Sequence, residues 1–339
     1  MGITRAPTEK GWVWGDVNSM LQISCLRAML GLVIGLLVVS PVCGEERSKG
    51  KTHVAMRHVE DYGRKGSGVG EFLEPRDLAI DPSGSLLIAD TGNHRVVKLT
   101  NKGEYLTEVG GFGWDDKQFN EPTGISTGGG LEIYVSDGQN ERIAVYSHHL
   151  RLVALVGGRD SDEMRLGRVG GIATTREGEL YVTDRDLDRV VQISTFSRTD
   201  RSFGGYGYGS GELRSPTALD VDEDGRVYVC DTENDRVVVF DRYGNYDREI
   251  GKDILDRPEG IAVDEKGVLF VADTGSHRIV VFSLGDDSLA GKLGGPKPGV
   301  QPGRFDSPRG IVTGHGDHLF VVDSGNHRIS KYKVLVIKR

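Results

Sequence analysis

The sequence predicts an all-β fold: a six-bladed β-propeller of four-stranded blades, closed by an N-terminal strand that completes the last blade. Three observations carry this. First, Asp90 recurs as Asp137, Asp184, Asp231, Asp273 and Asp323, each followed five residues later by an arginine: Arg95, Arg142, Arg189, Arg236, Arg278 and Arg328. Fifteen residues before each aspartate stands Pro75, Pro122, Val169, Pro216, Pro258 or Pro308, and the copies are spaced 47, 47, 47, 42 and 50 residues apart. A repeat of this length built from short strands marks a solenoid, propeller or array. Second, each of the first five copies holds four short runs with the character of strands. Third, the sixth copy ends after its third run, whereas residues 53–60 supply a spare run with no unit before it. Joining the two closes a ring and removes the sticky edges of an open array.

Taken in order, residues 1–44 stand apart. Ala28 to Val39 is an apolar stretch of 12 residues behind Arg27, closed by Ser40 and Pro41. It is short for a membrane span and fits the core of a secretory signal, with a small-residue cleavage site at Val42-Cys43-Gly44. A start at Met20 gives a tidier signal, since the longer leader contains Glu9 and Asp16. An uncleaved anchor, or lipid attachment at Cys43, is the alternative. Residues 45–52 read as a charged, flexible leader, and 53–339 as the propeller.

In the first copy the strands fall at about 77–81, 85–89, 95–99 and 105–109. Asp81-Pro82-Ser83-Gly84 supplies the first turn, matched by Thr174–Gly178, Asp222–Gly225 and Asp264–Gly267. The first two strands of each copy are almost continuously apolar, as befits strands packed between neighbouring blades. The third alternates more, and no helical period follows the leader.

The formal charge of −8 argues against nucleic acid, which needs a basic footprint. Without residues 1–44 the chain carries 39 basic and 48 acidic residues and one cysteine, Cys230, so no internal disulfide is expected. Cys230 occupies the place of Ala89, Ser136, Thr183, Ala272 and Val322 and reads as a small core side chain. An exported, periplasmic or extracellular monomer stabilised by core burial is the expectation.

Asp90-Thr91-Gly92-Asn93-His94-Arg95, Asp273-Thr274-Gly275-Ser276-His277-Arg278 and Asp323-Ser324-Gly325-Asn326-His327-Arg328 resemble the NHL repeat, as does the Pro258–Asp264 segment upstream. The resemblance covers about residues 53–339 and implies a six-bladed propeller. Similar propellers form the RNA- or protein-binding ends of ubiquitin ligases, sensor domains of receptor kinases and a peptide-amidating lyase. With three cysteines in all, the chain has no RING or B-box pattern, so ligase activity is not expected.

A feature present in every copy serves the blade, because one ligand site cannot need six equivalents. The Asp–Arg pairs are therefore read as structural, the carboxylate capping its tight loop and accepting the forked guanidinium. Positions that differ between copies are the ligand-face candidates. The residue before the arginine is His94, His277 and His327 in blades 1, 5 and 6 but Glu141, Asp188 and Asp235 in blades 2, 3 and 4. In a closed ring these form one arc of imidazoles and one of carboxylates on a single rim. The residue after the proline is Arg76, Thr123, Gly170, Thr217, Glu259 or Arg309, which places two arginines on the histidine side.

No catalytic residue or cofactor is assigned. The three histidines form an alternative zinc site, since His is a common zinc ligand, though the lyase's full ligand set is not reproduced. Asp220 to Gly225, with Asp231 at the twelfth place, mimics a calcium loop but sits between strands and reads as an acidic turn. The Gly294–Phe305 connection reads as a surface insertion or a lip over the site. The function expected is a binding or scaffold module that takes a protein or peptide on its loop face. The alternatives are a metal-dependent lyase or lactone hydrolase at the central channel, and a glycan-binding cell-wall module using Tyr206 and Tyr208.

Overall fold

A computed structural model describes residues 51–128, 132–159, 164–195 and 198–338. The signal or anchor segment 1–44 and most of the leader lie outside the described residues; Thr52 already belongs to the first strand. Among the described residues no helix is long and apolar enough to cross a membrane.

Among the described residues twenty-four strands, β1 to β24 in chain order, form six antiparallel four-stranded sheets. Blade 1 holds β2 (Asp77–Ile80), β3 (Leu86–Asp90), β4 (Arg95–Leu99) and β5 (Tyr105–Gly110). Blades 2 to 5 repeat this order, their innermost strands being β6 (Pro122–Thr127), β10 (Val169–Thr174), β14 (Pro216–Val221) and β18 (Pro258–Val263). The last sheet runs β22 (Pro308–Gly314), β23 (His318–Asp323), β24 (Arg328–Lys338) and β1 (Thr52–Tyr62). The N-terminal strand thus closes the ring: Thr52 pairs with Lys338 and Tyr62 with Ile329, across one irregularity between His58 and Glu60. It runs longer than the 53–60 stretch the sequence suggests because backbone pairing with β24 continues through Thr52 at one end and through Asp61 and Tyr62 at the other. Val54, Met56 and Tyr62 are buried.

The core lies between blades. Phe270 and Val281 of blade 5 pack against Val321 and Tyr332 of blade 6, with Val54 and Met56 of the closing strand in the same cluster. The second strand of each blade is buried along its whole length, as in Leu86–Asp90 and Val227–Asp231, or, in blades 2 and 6, along all but its first residue, because both of its faces meet a neighbouring sheet. Cys230 is one of these buried residues, and burial pushes its thiol far above the usual range. Hairpins join the first and second strands on one face of the disc. In the first, Gly84 N–H donates to the Asp81 carbonyl at 2.8 Å while the Asp81 carboxylate accepts the amides of Ser83 and Ser85. The opposite face carries the turns between second and third strands and the loops between blades.

Candidate functional site: the arginine-lined channel mouth

All six Asp–Arg pairs are present, and each aspartate is fully buried. Their geometry differs in one respect from the sequence expectation. The Asp90 carboxylate accepts Arg95 Nε at 2.8 Å and Asn93 Nδ2 at 2.8 Å, but its other oxygen accepts the amide of Leu73, 17 residues upstream in the loop entering the blade. The guanidinium fork turns away to that same loop and donates to the Ser67 and Glu71 carbonyls at 2.9 and 2.8 Å. Every blade repeats the arginine-to-carbonyl bond at an offset of 24 residues, reaching Glu71, Gln118, Arg165, Glu212, Ile254 and Arg304. The pair therefore clamps an irregular loop whose backbone groups have no strand partner.

The residue before each arginine has positive φ, between 49° and 56°. Histidine and aspartate tolerate this left-handed region better than most residues, which narrows the choice there. The side chains reach the next blade. The Nδ1 atoms of His94, His277 and His327 accept the amides of Glu121, Ser307 and Glu74 at 3.2, 3.0 and 3.0 Å. The carboxylates of Asp188 and Asp235 accept the equivalent amides of Ser215 and Arg257 at 2.6 and 2.8 Å. Imidazole and carboxylate alternate because either can latch one blade to the next. Glu141 instead pairs with Arg159 at 3.1 Å. Each histidine serves its own junction, and among the described residues no group of three or more His, Cys, Asp or Glu is placed to hold a metal. In the acidic turn the Asp222 carboxylate accepts the Asp224 and Arg226 amides, while Asp220 points to the neighbouring blade.

Arg76 and Arg309 go elsewhere. They converge on the mouth of the central channel, on the turn-bearing face, together with Arg185 and Glu259. The funnel there encloses about 270 Å³ and narrows to about 50 Å³ beside Asp77. Arg309 pairs with Glu259, and Arg257 shares that carboxylate at 3.7 Å. Burial, reinforced by Arg76, Arg185 and Arg257, pushes Arg309 down to about 10, and burial with Arg76 and Arg168 lowers Arg185. Positive charge is crowded and under-compensated at this mouth.

Sequence comparison did not single out Arg185. It follows Asp184, where the other blades carry Thr91, Gly138, Thr232, Thr274 and Ser324. The threonine hydroxyls donate to the first carbonyl of the next blade: Thr91 to Pro122 at 2.6 Å, Thr232 to Pro258 at 2.8 Å and Thr274 to Pro308 at 2.6 Å. Arg185 gives up that bond and enters the channel. Gly170 makes the room, since a Cβ there would lie 3.2 Å from Arg185 Cδ and 2.5 Å from Thr183 Oγ1. Reading the blades at the position after the aspartate would have found it.

Below the mouth lie two carboxylates. The innermost strands leave amides unpaired toward the channel, and Asp77 and Asp220 satisfy two of them, accepting Ile125 and Val263 of the following blades at 3.0 and 2.8 Å. Burial, against these hydrogen bonds, pushes Asp77 up to about 7 and Asp220 up to about 6. The opposite face holds a larger cavity of about 1400 Å³ among the hairpins. Its charges are largely paired with one another: Arg176 meets Glu223 at 2.6 Å and Glu265 at 3.1 Å, and Lys266 meets Asp317.

The architecture is that of a six-bladed β-propeller with a cationic channel mouth. It is an NHL-repeat propeller: the NHL repeat model matches residues 72–99, 213–240, 255–282 and 305–332, in blades 1, 4, 5 and 6. No curated protein matches the chain significantly. Among solved structures, an auxiliary nutrient binding protein from Bacteroides thetaiotaomicron is 14% identical, with TM-score 0.60, covering 84% of this chain and 77% of that one. A catalytically inactive variant of virginiamycin B lyase from Staphylococcus aureus, with quinupristin, is 14% identical, with TM-score 0.58, covering 84% of this chain and all of that one. A chain of the nidogen/laminin complex is 17% identical, with TM-score 0.56, covering 71% of this chain and 93% of that one. At these identities the likeness is one of fold.

Proposed function

We propose that this propeller is an exported binding module that takes a protein or peptide partner on its turn-bearing face. One observation carries this: large aromatic side chains are held out to solvent on the inter-blade loops of the turn-bearing face. Phe112 and Trp114 are 57% and 62% exposed, and Tyr206 and Tyr208 are 68% and 65% exposed. Their loops are not loose. Asn140 holds the Gly113 carbonyl and Arg142 those of Trp114 and Asp115, which seats the first loop on the turn whose Gly138 and Gln139 line the mouth. Asn234 and Arg236 do the same for Gly207 and Gly209. Rigidly presented Trp and Tyr beside Arg is the composition of binding hot spots. Nidogen/laminin and the nutrient-binding propeller give the reading precedent on this fold.

The test is retention of the full-length chain on an array of immobilised hexapeptides of varied sequence. Trp114→Ala and Tyr208→Ala are expected to weaken retention at least about tenfold without altering the melting temperature, as a lost hot spot would. Retention untouched by both variants would sink the reading. Export rests on the run Ala28–Val39, and N-terminal sequencing of protein recovered outside the cytoplasm tests it.

A lyase or lactone hydrolase acting in the channel is the second reading. It is favoured by Asp77, a carboxyl raised toward neutrality beside a cationic mouth, and by the fold shared with virginiamycin B lyase. It requires turnover that disappears in Asp77→Asn.

A further inference from the structure

We propose that Arg76, Arg185 and Arg309 form a carboxylate clamp at the channel mouth, which receives a carboxylate that a bound acidic peptide inserts along the axis. This rests on the binding reading of the same face and names the chemistry its centre recognises.

The argument starts from what the arrangement costs. Among the described residues neither Arg76 nor Arg185 has a carboxylate within ion-pair distance; Arg185 Nη2 reaches only Ser215 Oγ at 3.4 Å, and its Nε is buried without a partner. Glu259 is already divided between Arg309 and Arg257. A guanidinium presents donors in a planar fork matched to a carboxylate, and leaving them unpaired in a narrow funnel is unfavourable. Repeat comparison shows that the fold does not need these arginines. Thr123 and Thr217 stand where Arg76 stands, and threonine stands in three blades where Arg185 stands. Arginine enters at two positions on different blades and points to one place, where an incoming carboxylate would supply the missing acceptors. The funnel of about 270 Å³ admits a carboxylate-bearing side chain or chain end, and the constriction beside Asp77 stops it going deeper.

Repeat-native substitutions make the test clean. Arg185→Thr and Arg76→Thr each install the residue other blades carry, so folding is retained and the melting temperature is expected to hold or rise. The probes are acidic hexapeptides, their Asn/Gln counterparts and C-terminal amides, and free citrate and succinate titrated calorimetrically against the full-length chain. The clamp is supported if acidic peptides bind and lose at least about tenfold in affinity, a loss of about 1.4 kcal/mol, on either substitution or on neutralising the carboxylate. Citrate binding that disappears in Arg185→Thr, with no peptide bound, supports the clamp and overturns the peptide reading. Peptide binding lost in Trp114→Ala but unchanged in both arginine variants leaves the face and overturns the clamp. Binding of neither class overturns both.

Discussion

Blade 1 and blade 3 share the same four-stranded plan but are held differently at the turn-bearing face. In blade 1 the turn residues Thr91, Asn93 and His94 each reach an adjoining loop or blade: Thr91 bonds Pro122, Asn93 bonds Gly66 and His94 bonds Glu121. In blade 3 the corresponding residues are Arg185, Leu187 and Asp188, and only Asp188 keeps its latch. Leu187 is 53% exposed, and Asp186 steps in by holding the amide and guanidinium of Arg168. The buried aspartate and its arginine survive in both. The comparison separates what a blade requires from what it can surrender. The loop clamp is required, whereas the threonine and asparagine contacts are dispensable, and the position released by the threonine carries the channel arginine.

The largest effect should come from breaking the clamp in the two blades side by side. Asp90→Ala removes the acceptor for Leu73, Asn93 and Arg95 Nε, and leaves Arg95, its side chain only 10% exposed, with Glu108 and the loop carbonyls as its remaining partners. Losing three hydrogen bonds to a buried carboxylate, one of them charge-paired, should cost about 2–4 kcal/mol. Arg189, at 27% exposure, can turn toward water, and Asp184 has no asparagine partner, so Asp184→Ala should cost distinctly less. Denaturant unfolding of the two variants checks the order. Equal losses would mean that blade 3 leans on its clamp as heavily as blade 1.

The same contrast explains what could be read from the sequence. Ring closure was legible because residues 53–60 lacked a unit and the sixth copy lacked a strand. The Asp–Arg offset was legible because it falls within one turn. Its real partners were not, since Leu73 and Glu71 return to the turn through an irregular loop that has no pattern of its own. Arg76 and Arg309 were visible as departures at one repeat position. Arg185 was passed over because the departure sat one residue beyond the aspartate. The alternation of His with Asp and Glu suggested two charge sectors. Two chemically different side chains can accept the same amide, and this dissociates residue identity from ligand choice.

A second break concerns the channel, where blade 1 supplies Asp77 and blades 2, 3, 5 and 6 have glycine at the equivalent position. Its carboxyl is raised by burial to about 7 from an ordinary value of 3.8. The folded state therefore binds more protons than the unfolded state between about pH 4 and 7. The stabilisation due to this group is complete below pH 4 and is lost as pH rises through 7. Asp77→Asn keeps an acceptor for the Ile125 or Leu78 amide and discards the charge. It should match the parent near pH 4 and exceed it at pH 8 by about 1–2 kcal/mol, a value discounted because the carboxylate meets channel water. Melting curves across that range decide it, and a constant offset would show that Asp77 ionises normally.

The smallest effect should appear at the latch, where blade 5 uses histidine and blade 4 uses aspartate for the same work. His277 sits at φ 50° and accepts the Ser307 amide through Nδ1, which fixes the ring proton on Nε2. If the acceptor alone matters, His277→Asp should be neutral to within about 0.5 kcal/mol, because aspartate tolerates the left-handed region and makes this bond at Asp235. His277→Leu offers no acceptor and should lose about 1 kcal/mol, with part of the loss owed to placing a branched apolar side chain at positive φ. Hydrogen exchange at the Ser307 amide separates the two causes. It should accelerate in His277→Leu and stay protected in His277→Asp, because protection follows the acceptor and backbone strain alone would leave that amide bonded.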